Sequence, residues 1–159
     1  MSDQAQQGQQ DQNSAPVFSI EKIYVKDLSL ELPNAPQVFL QSETPQLDVQ
    51  INNEATMLAE GMFEVVVTVT VTARGADKTL FLVEAAQAGI FSIRGMPEAE
   101  IQPLLAIACP NILYPYVRET VSDLVVRGGF PPVLLAPVSF EALYMQRQQQ
   151  IADAAQQAS

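Results

Sequence analysis

The run FEVVVTVTVT, Phe63 to Thr72, limits what this chain can fold into more than any other stretch. Successive side chains of a strand point to opposite faces, so Phe63, Val65, Val67, Val69 and Val71 share one face. Glu64, Val66, Thr68, Thr70 and Thr72 share the other. A face that is wholly apolar must be buried against a second layer, which makes this a core strand of a layered domain.

The neighbouring segments supply the rest of a sheet. From Phe18 to Leu32 the even positions Phe18, Ile20, Tyr24, Leu28, Leu30 and Leu32 are mostly apolar, while the odd positions end in Asp27, Ser29 and Glu31. This predicts a long strand with one buried face and one acidic, wet face. LDVQI, Leu47 to Ile51, alternates as a shorter strand. RGAD, Arg74 to Asp77, is a turn signal. It leads into a fourth strand, Lys78 to Ile93, in which Leu80, Leu82 and Glu84 lie opposite Phe81, Val83 and Ala85. The last three strands read as a meander. Between the first two lie about fifteen residues broken by Pro33, Pro36 and Pro45, too long for a simple hairpin and suited to a crossover. Phe39 sits on that crossover with no strand face to cover it.

Helical spacing takes over afterwards. Ile101, Leu104, Leu105 and Ala108 form a short apolar stripe, with Pro103 inside it. CPNILYPY follows, in which Pro110 is expected to end this helix and Pro115 to open the next. Leu113, Val117, Val121, Leu124 and Val125 form the stripe of that long helix, stopped by Gly128 and Gly129. Ser139 is a candidate N-cap for a last helix, with Val138 and Leu143 as its staple and Phe140, Leu143, Tyr144 and Arg147 along one side. The expected class is α+β: a four-stranded antiparallel sheet with a long helix and a C-terminal helix on one face. Residues 17–147 form the folded unit, flanked by a Gln-rich disordered arm, 1–16, and a frayed polar tail, 148–159. Valines on both faces of the third strand, and Leu82 beside Glu84, exceed what so few helices can cover, which predicts a homo-oligomer.

Chemistry is mostly excluded. The chain has no histidine and one cysteine, so neither a Ser-His-Asp or Cys-His site nor a usual zinc site can be assembled. Phosphate-binding glycine motifs are absent. Cys109, between Ala108 and Pro110, has no nearby basic group to stabilise a thiolate and reads as packing. Asp27 and Glu31 are about 13 Å apart along a strand, wider than a glycosidase carboxylate pair. No enzyme activity, cofactor or metal is expected. The net charge of −10 disfavours nucleic acid and anionic lipid and favours a basic protein partner. The sequence shows neither a secretory signal nor a run long enough to span a membrane, so a cytoplasmic location is expected. Phe39, Tyr114, Tyr116, Phe130, Phe140 and Tyr144 lie at loops and helix ends, where together they could line a groove for extended polypeptide.

Several segments resemble one family. IYVKDLSLELPNAPQVF, EVVVTVTVTA, GIFSIRG, CPNILYPYVRE and RGGFPPVLLAPVSFEALY, in this order and with polar Gln-rich ends, are similar to SecB, the bacterial protein-export chaperones. The resemblance implies a tetramer built as a dimer of dimers, with helices between two eight-stranded sheets. Its function would be to hold unfolded precursors without ATP in the cytoplasm and pass them to the SecA motor. By position, Asp27, Glu31, Leu82 and Glu84 would bind the basic, zinc-carrying C-terminal tail of SecA, the zinc belonging to the partner. Phe39, Phe140, Leu143 and Tyr144 would line the substrate groove. Apart from the resemblance, the stripe of Leu113, Val117 and Val121 is expected to pack on the sheet and against partner subunits, with Tyr114 and Tyr116 assigned to the oligomer interface first and the groove second. The chain lacks the tryptophan that family members often carry after PNAP, and has Val83 and Thr120 where some carry cysteines. Two other readings stay open: a carrier of small apolar ligands, and a SecB-like chaperone serving a toxin–antitoxin pair.

Overall fold

Strand β1, Val17–Glu31, pairs along its length with β4, Lys78–Arg94. Strands β2, Gln46–Ala59, and β3, Met62–Gly75, complete an antiparallel sheet of order β1-β4-β3-β2. These elements come from a computed structural model that describes residues 15–41 and 44–158. The arm expected over residues 1–16 lies almost entirely outside the described residues. Strands β2 to β4 form the meander, and the chain from β1 to β2 crosses from one edge of the sheet to the other. A single 3₁₀ turn, Gln37–Leu40, interrupts that crossing and buries Val38.

The sheet has one helix-covered face and one open face. Val65, Val67, Val69, Val71, Phe81, Val83, Ala85, Phe91 and Ile93 are buried on the covered face. Register places Glu64 opposite Ile90, Thr68 opposite Ala86, Thr70 opposite Glu84 and Thr72 opposite Leu82 on the open one. β1 departs from the simple alternation. Its pairing slips between Ile20 and Lys22 and again between Val25 and Asp27. Each bulge adds one unpaired residue and reverses the faces beyond it. Ile23 and Val25 therefore join Phe18, Ile20, Leu28 and Leu30 on the covered face, while Tyr24, opposite Ala88, lies on the open face with Asp27, Ser29 and Glu31. β2 also runs on well beyond Ile51, because its polar half, Asn52 to Thr56, keeps its ladder with β3 although the apolar alternation has ended.

The helical layer begins with α1, Glu98–Pro103, and continues through a π turn, Leu104–Ala108, into α2, Cys109–Arg127. The expected break at CPNILYPY does not occur. Cys109 N–H donates to Leu104 O, five residues back, and this widened turn carries the chain past its prolines as continuous helix. Pro110 sits in the first turn of α2 and Pro115 inside it. α2 stops in a Schellman cap: Gly129 N–H donates to Val126 O at 3.0 Å, Phe130 N–H donates to Val125 O at 3.2 Å, and Gly129 has φ +87°. Helix α3, Phe140–Gln157, starts where Ser139 Oγ accepts from Ala142 N–H at 3.2 Å. Its Ala- and Gln-rich end favours helix, so α3 continues to Gln157 through most of the segment expected to fray.

α2 packs on β4 and β3. One helix is about 10 Å wide and four strands at about 4.8 Å spacing are wider, so both edges of the covered face stay bare. Ile20, Val25 and Leu28 are exposed on β1, and Leu47, Val49 and Met57 on β2. α3 is seated through Phe140, fully buried with its ring 5.8 Å from that of Tyr114, edge to face.

Candidate functional site

Two surfaces survive once the core is accounted for. On the open face, Glu31 pairs with Leu82, Ser29 with Glu84 and Asp27 with Ala86. Asp27, Glu31, Leu82 and Glu84 thus occupy one patch, because no bulge intervenes between Asp27 and Glu31. Thr70 Oγ1 donates to Glu84 Oε2 at 3.2 Å. Among the described residues the ion pairs are Lys26–Glu64 and Asp123–Arg127, so these three acids face solvent without a paired cation. Further along the same face, Glu64 accepts from Lys26 Nζ at 2.7 Å and from the Tyr24 hydroxyl. Lys26, then Tyr24, holds the Glu64 carboxyl below its usual range, and the Glu64 hydrogen bond, with burial, pushes Tyr24 up to about 12.

On the covered face the crossover and the segment after α2 enclose an apolar cleft of about 520 Å³, lined among others by Val38, Phe39, Leu47, Phe81, Phe130 and Pro132. Three rings run in file, Phe39 to Phe130 at 5.3 Å and Phe130 to Phe81 at 4.9 Å. Phe39 is 47% exposed at its mouth. Gly129 is required here twice over: its φ is positive, and a Cβ would stand 3.0 Å from Phe39 Cε1. A second cleft, of about 720 Å³, lies at the other end of β2, between the β2–β3 hairpin and α1, with Ala55, Met57, Phe63, Ile101 and Leu105 as walls and Arg94 at its side.

Of the aromatic residues expected in a groove, Phe39 and Phe130 line the first cleft. Phe140, Leu143 and Tyr144 are not among its walls; Phe140 is buried against Tyr114, whose hydroxyl donates to Ala136 O. Leu143 is exposed on α3 and Tyr144 half-buried. Of the five expected interface residues, Leu113, Val117 and Val121 are fully buried within the chain itself and Tyr114 nearly so. Their apolar surface is already used on the sheet, leaving Tyr116, 49% exposed, free to meet a partner. Cys109 is fully buried, and burial pushes its thiol up to about 12, so it is unreactive. No group of three or more His, Cys, Asp or Glu able to hold a metal occurs among the described residues. None of their helices is long and apolar enough to cross a membrane.

Sequence reasoning did not find the second cleft, which arises from the docking of α1 against a hairpin and leaves no local pattern. Nor did it find Asn53, whose Nδ2 donates to Ala106 O at 3.4 Å and whose Oδ1 accepts from Arg147 Nη2 at 3.4 Å. Pro110 has no N–H to offer the Ala106 carbonyl, so Asn53 substitutes for a missing helical donor.

The model of the family described as preprotein translocase subunit SecB matches residues 11–151. The protein-export protein SecB of Methylobacillus flagellatus is 60% identical over 143 residues, covering 90% of this chain and 91% of its own. That of Chromobacterium violaceum is 61% identical, covering 90% and 95%. Among solved structures, a SecB-like chaperone of Mycobacterium tuberculosis in complex with a peptide from an antitoxin aligns with TM-score 0.64 at 21% identity, covering 77% of this chain and 91% of its own.

Proposed function

This chain belongs to the SecB family and is a protein-export chaperone, and we propose that it does this work by binding alone, with its two exposed surfaces serving two different partners. The apolar cleft around Phe39 takes extended, unfolded precursor. Its walls are rings and aliphatic side chains, which accept many sequences through area. Several weak contacts along one chain then add up through the high effective concentration of each successive segment. The observation that carries this reading is the file of three rings ending in a half-exposed Phe39. Leu143 and Tyr144, outside the walls of that cleft, offer a separate apolar contact on α3.

The open face delivers the client. Asp27, Glu31 and Glu84 around Leu82 suit the basic tail of SecA, with acids steering the encounter and Leu82 supplying desolvated contact. Any zinc is carried by that tail. The bare apolar strip on β1, together with Tyr116, is covered in a homotetramer built as a dimer of dimers, working in the cytoplasm without nucleotide or cofactor. The export reading is preferred over service to a toxin–antitoxin pair because the relatives near 60% identity carry the export name, whereas likeness to the antitoxin-bound structure extends to the fold.

Light scattering tests the core of this. An unfolded precursor diluted from denaturant should stay soluble with one tetramer per chain, and aggregation at the uncatalysed rate would sink the reading. Native mass spectrometry should give four times 17.3 kDa, while a monomer retaining lipid would support a ligand carrier. Glu84→Lys should weaken SecA binding measured by calorimetry with precursor holding unchanged; unaltered affinity would remove the docking assignment.

A further inference from the structure

The two bulges of β1 are held differently. At the first, Glu21 accepts from Ser19 Oγ at 2.6 Å, a bond within the strand itself. The second falls at Lys26, between the pairs Val25–Gln87 and Asp27–Ala86, and side chains from two other strands converge on it. Glu64 of β3 accepts from the Lys26 ammonium at 2.7 Å and from the Tyr24 hydroxyl. Gln87 of β4, 4% exposed, donates from Nε2 to the Tyr24 carbonyl at 3.1 Å. The bridge from Glu64 crosses β4 beside Ala88, which stands between Tyr24 and Val66 in register and is fully buried although it lies on the open face.

We infer that Glu64 and Gln87 are positioning residues: they brace the bulge at Lys26, and the bulge keeps Asp27, Ser29 and Glu31 on the open face. The inference rests on the docking reading of that face and adds what aligns its acids. Faces alternate strictly in a regular strand. With Val25 on the covered face, an unbulged β1 would set Lys26 opposite Ala86, turn Asp27, Ser29 and Glu31 under, and bring Leu28 and Leu30 out. The bulge absorbs Lys26 as an extra residue and returns Asp27 to the open position opposite Ala86, beside Thr68. Glu64 draws Lys26 back towards Tyr24 and away from that position. Packing specifies the faces only weakly here, because Leu28 is 43% exposed and Leu30 half-buried. Register at this end of β1 is therefore left to the brace.

Two thiol reporters in the full-length protein read the faces, since Cys109 is buried and does not compete. They are Ser29→Cys, at an exposed position, and Leu30→Cys, at a half-buried one. Towards a maleimide the first should react faster. Adding Glu64→Ala with Gln87→Leu should slow the thiol at position 29 and speed that at position 30, each by about threefold or more, as expected for the loss of several hydrogen bonds. SecA affinity, by calorimetry, should fall about three- to tenfold in the same background as the competent fraction drops. Deleting Lys26 there should restore it to within about twofold, because the shortened strand is regular with Asp27 still opposite Ala86. Lys26→Met, which removes the charge and keeps the residue, should not restore it. Deletion of Lys26 alone breaks no face either, so both thiol rates should stay within about twofold; exchanged rates would overturn the inference. Both thiols speeding up together would mean loosening without turning, and unchanged rates would mean that packing sets the faces; either overturns it. Rescue by Lys26→Met as well as by the deletion would assign the affinity loss to charge, which overturns it too. If SecA does not bind the wild type, or binds every variant equally, the docking reading falls, and opposite shifts of the two thiols still establish the brace.

Discussion

Val69 and Thr70 are neighbours in the chain and lie on opposite sides of the same sheet. Val69 points under α2 into a fully buried core; Thr70 points to the open face and hydrogen-bonds Glu84. Along β3 this contrast repeats from Val65 to Ala73, buried residues alternating with half-buried ones, so one short pattern writes two surfaces with different tasks. The covered face holds the fold through apolar area removed from water. The open face carries acids, threonines and Leu82, which contribute little to folding and are free to recognise something else. If that division holds, substitutions on the two faces separate cleanly in what they change.

The largest effect belongs to the centre of the covered face. Leu113 is fully buried between α2 and the sheet, and Leu113→Ala should lower stability by about 4 kcal/mol, the transfer loss plus a cavity. Denaturant midpoints would show it. Next comes Gly89, where an added methyl would stand 2.8 Å from Phe91 Cε2 and 3.0 Å from Leu113 Cδ2. Gly89→Ala should cost about 1–3 kcal/mol through overpacking. A neutral result would mean that the Phe91 ring has room to move and that the covered face is looser than its burial indicates.

How legible this was from the chain depended on whether a feature is periodic. The valines of β3 and the odd residues of β4 announce their face because nothing interrupts the alternation. β1 misled at Tyr24: its two bulges each shift the faces by one, and no residue type near Glu21 or Lys26 requires a bulge. In sequence β2 reads as ending at Ile51, because Asn52 to Thr56 are held by pairing with β3, a property of the partner strand. CPNILYPY reads as a break between helices, since a π turn that absorbs prolines is a response to packing. Leu113 and Val117 are legible as an apolar stripe that packs on the sheet, but the share of that stripe meeting a partner is not, because a helix face turned to a partner and one turned to its own sheet look alike in sequence. Phe39 was visible as an aromatic without cover, whereas the walls that make it a cleft, Phe81 and Phe130, meet only in three dimensions.

A smaller effect tests the open face where it is most ordered. Glu64 is tied to Lys26 and Tyr24 from the neighbouring part of β1, reaching across β4. Its folded pKa is lowered, so its contribution is fully present above the ordinary carboxylate value near about 4.3 and is lost as pH falls through the folded value. The stability gap between the wild type and Glu64→Gln should therefore be open at neutral pH and close in acid. Tyr24 has the opposite sign: with its pKa raised to about 12, its contribution is present below about pH 10 and disappears as pH rises through the folded value. Thermal unfolding across pH would show both limbs, and Tyr24→Phe should flatten the alkaline one. A gap that stays open in acid would mean that Glu64 acts through shape instead of charge.

The smallest expected change in stability is the most informative about the two faces. Leu82 is an apolar residue on β4, flanked in register by Glu31 and Thr72. A core leucine costs about 2–5 kcal/mol on truncation, but Leu82, half-buried with no helix over it, should cost no more than about 1 kcal/mol. Leu82→Ala should accordingly move the denaturant midpoint only slightly while weakening the docking of a basic partner. If the midpoint instead falls by more than about 1 kcal/mol, Leu82 is packed against another surface in the assembled protein. The open face would then be an interface between copies, and the acids around Leu82 would have to be reassigned from recognition to assembly.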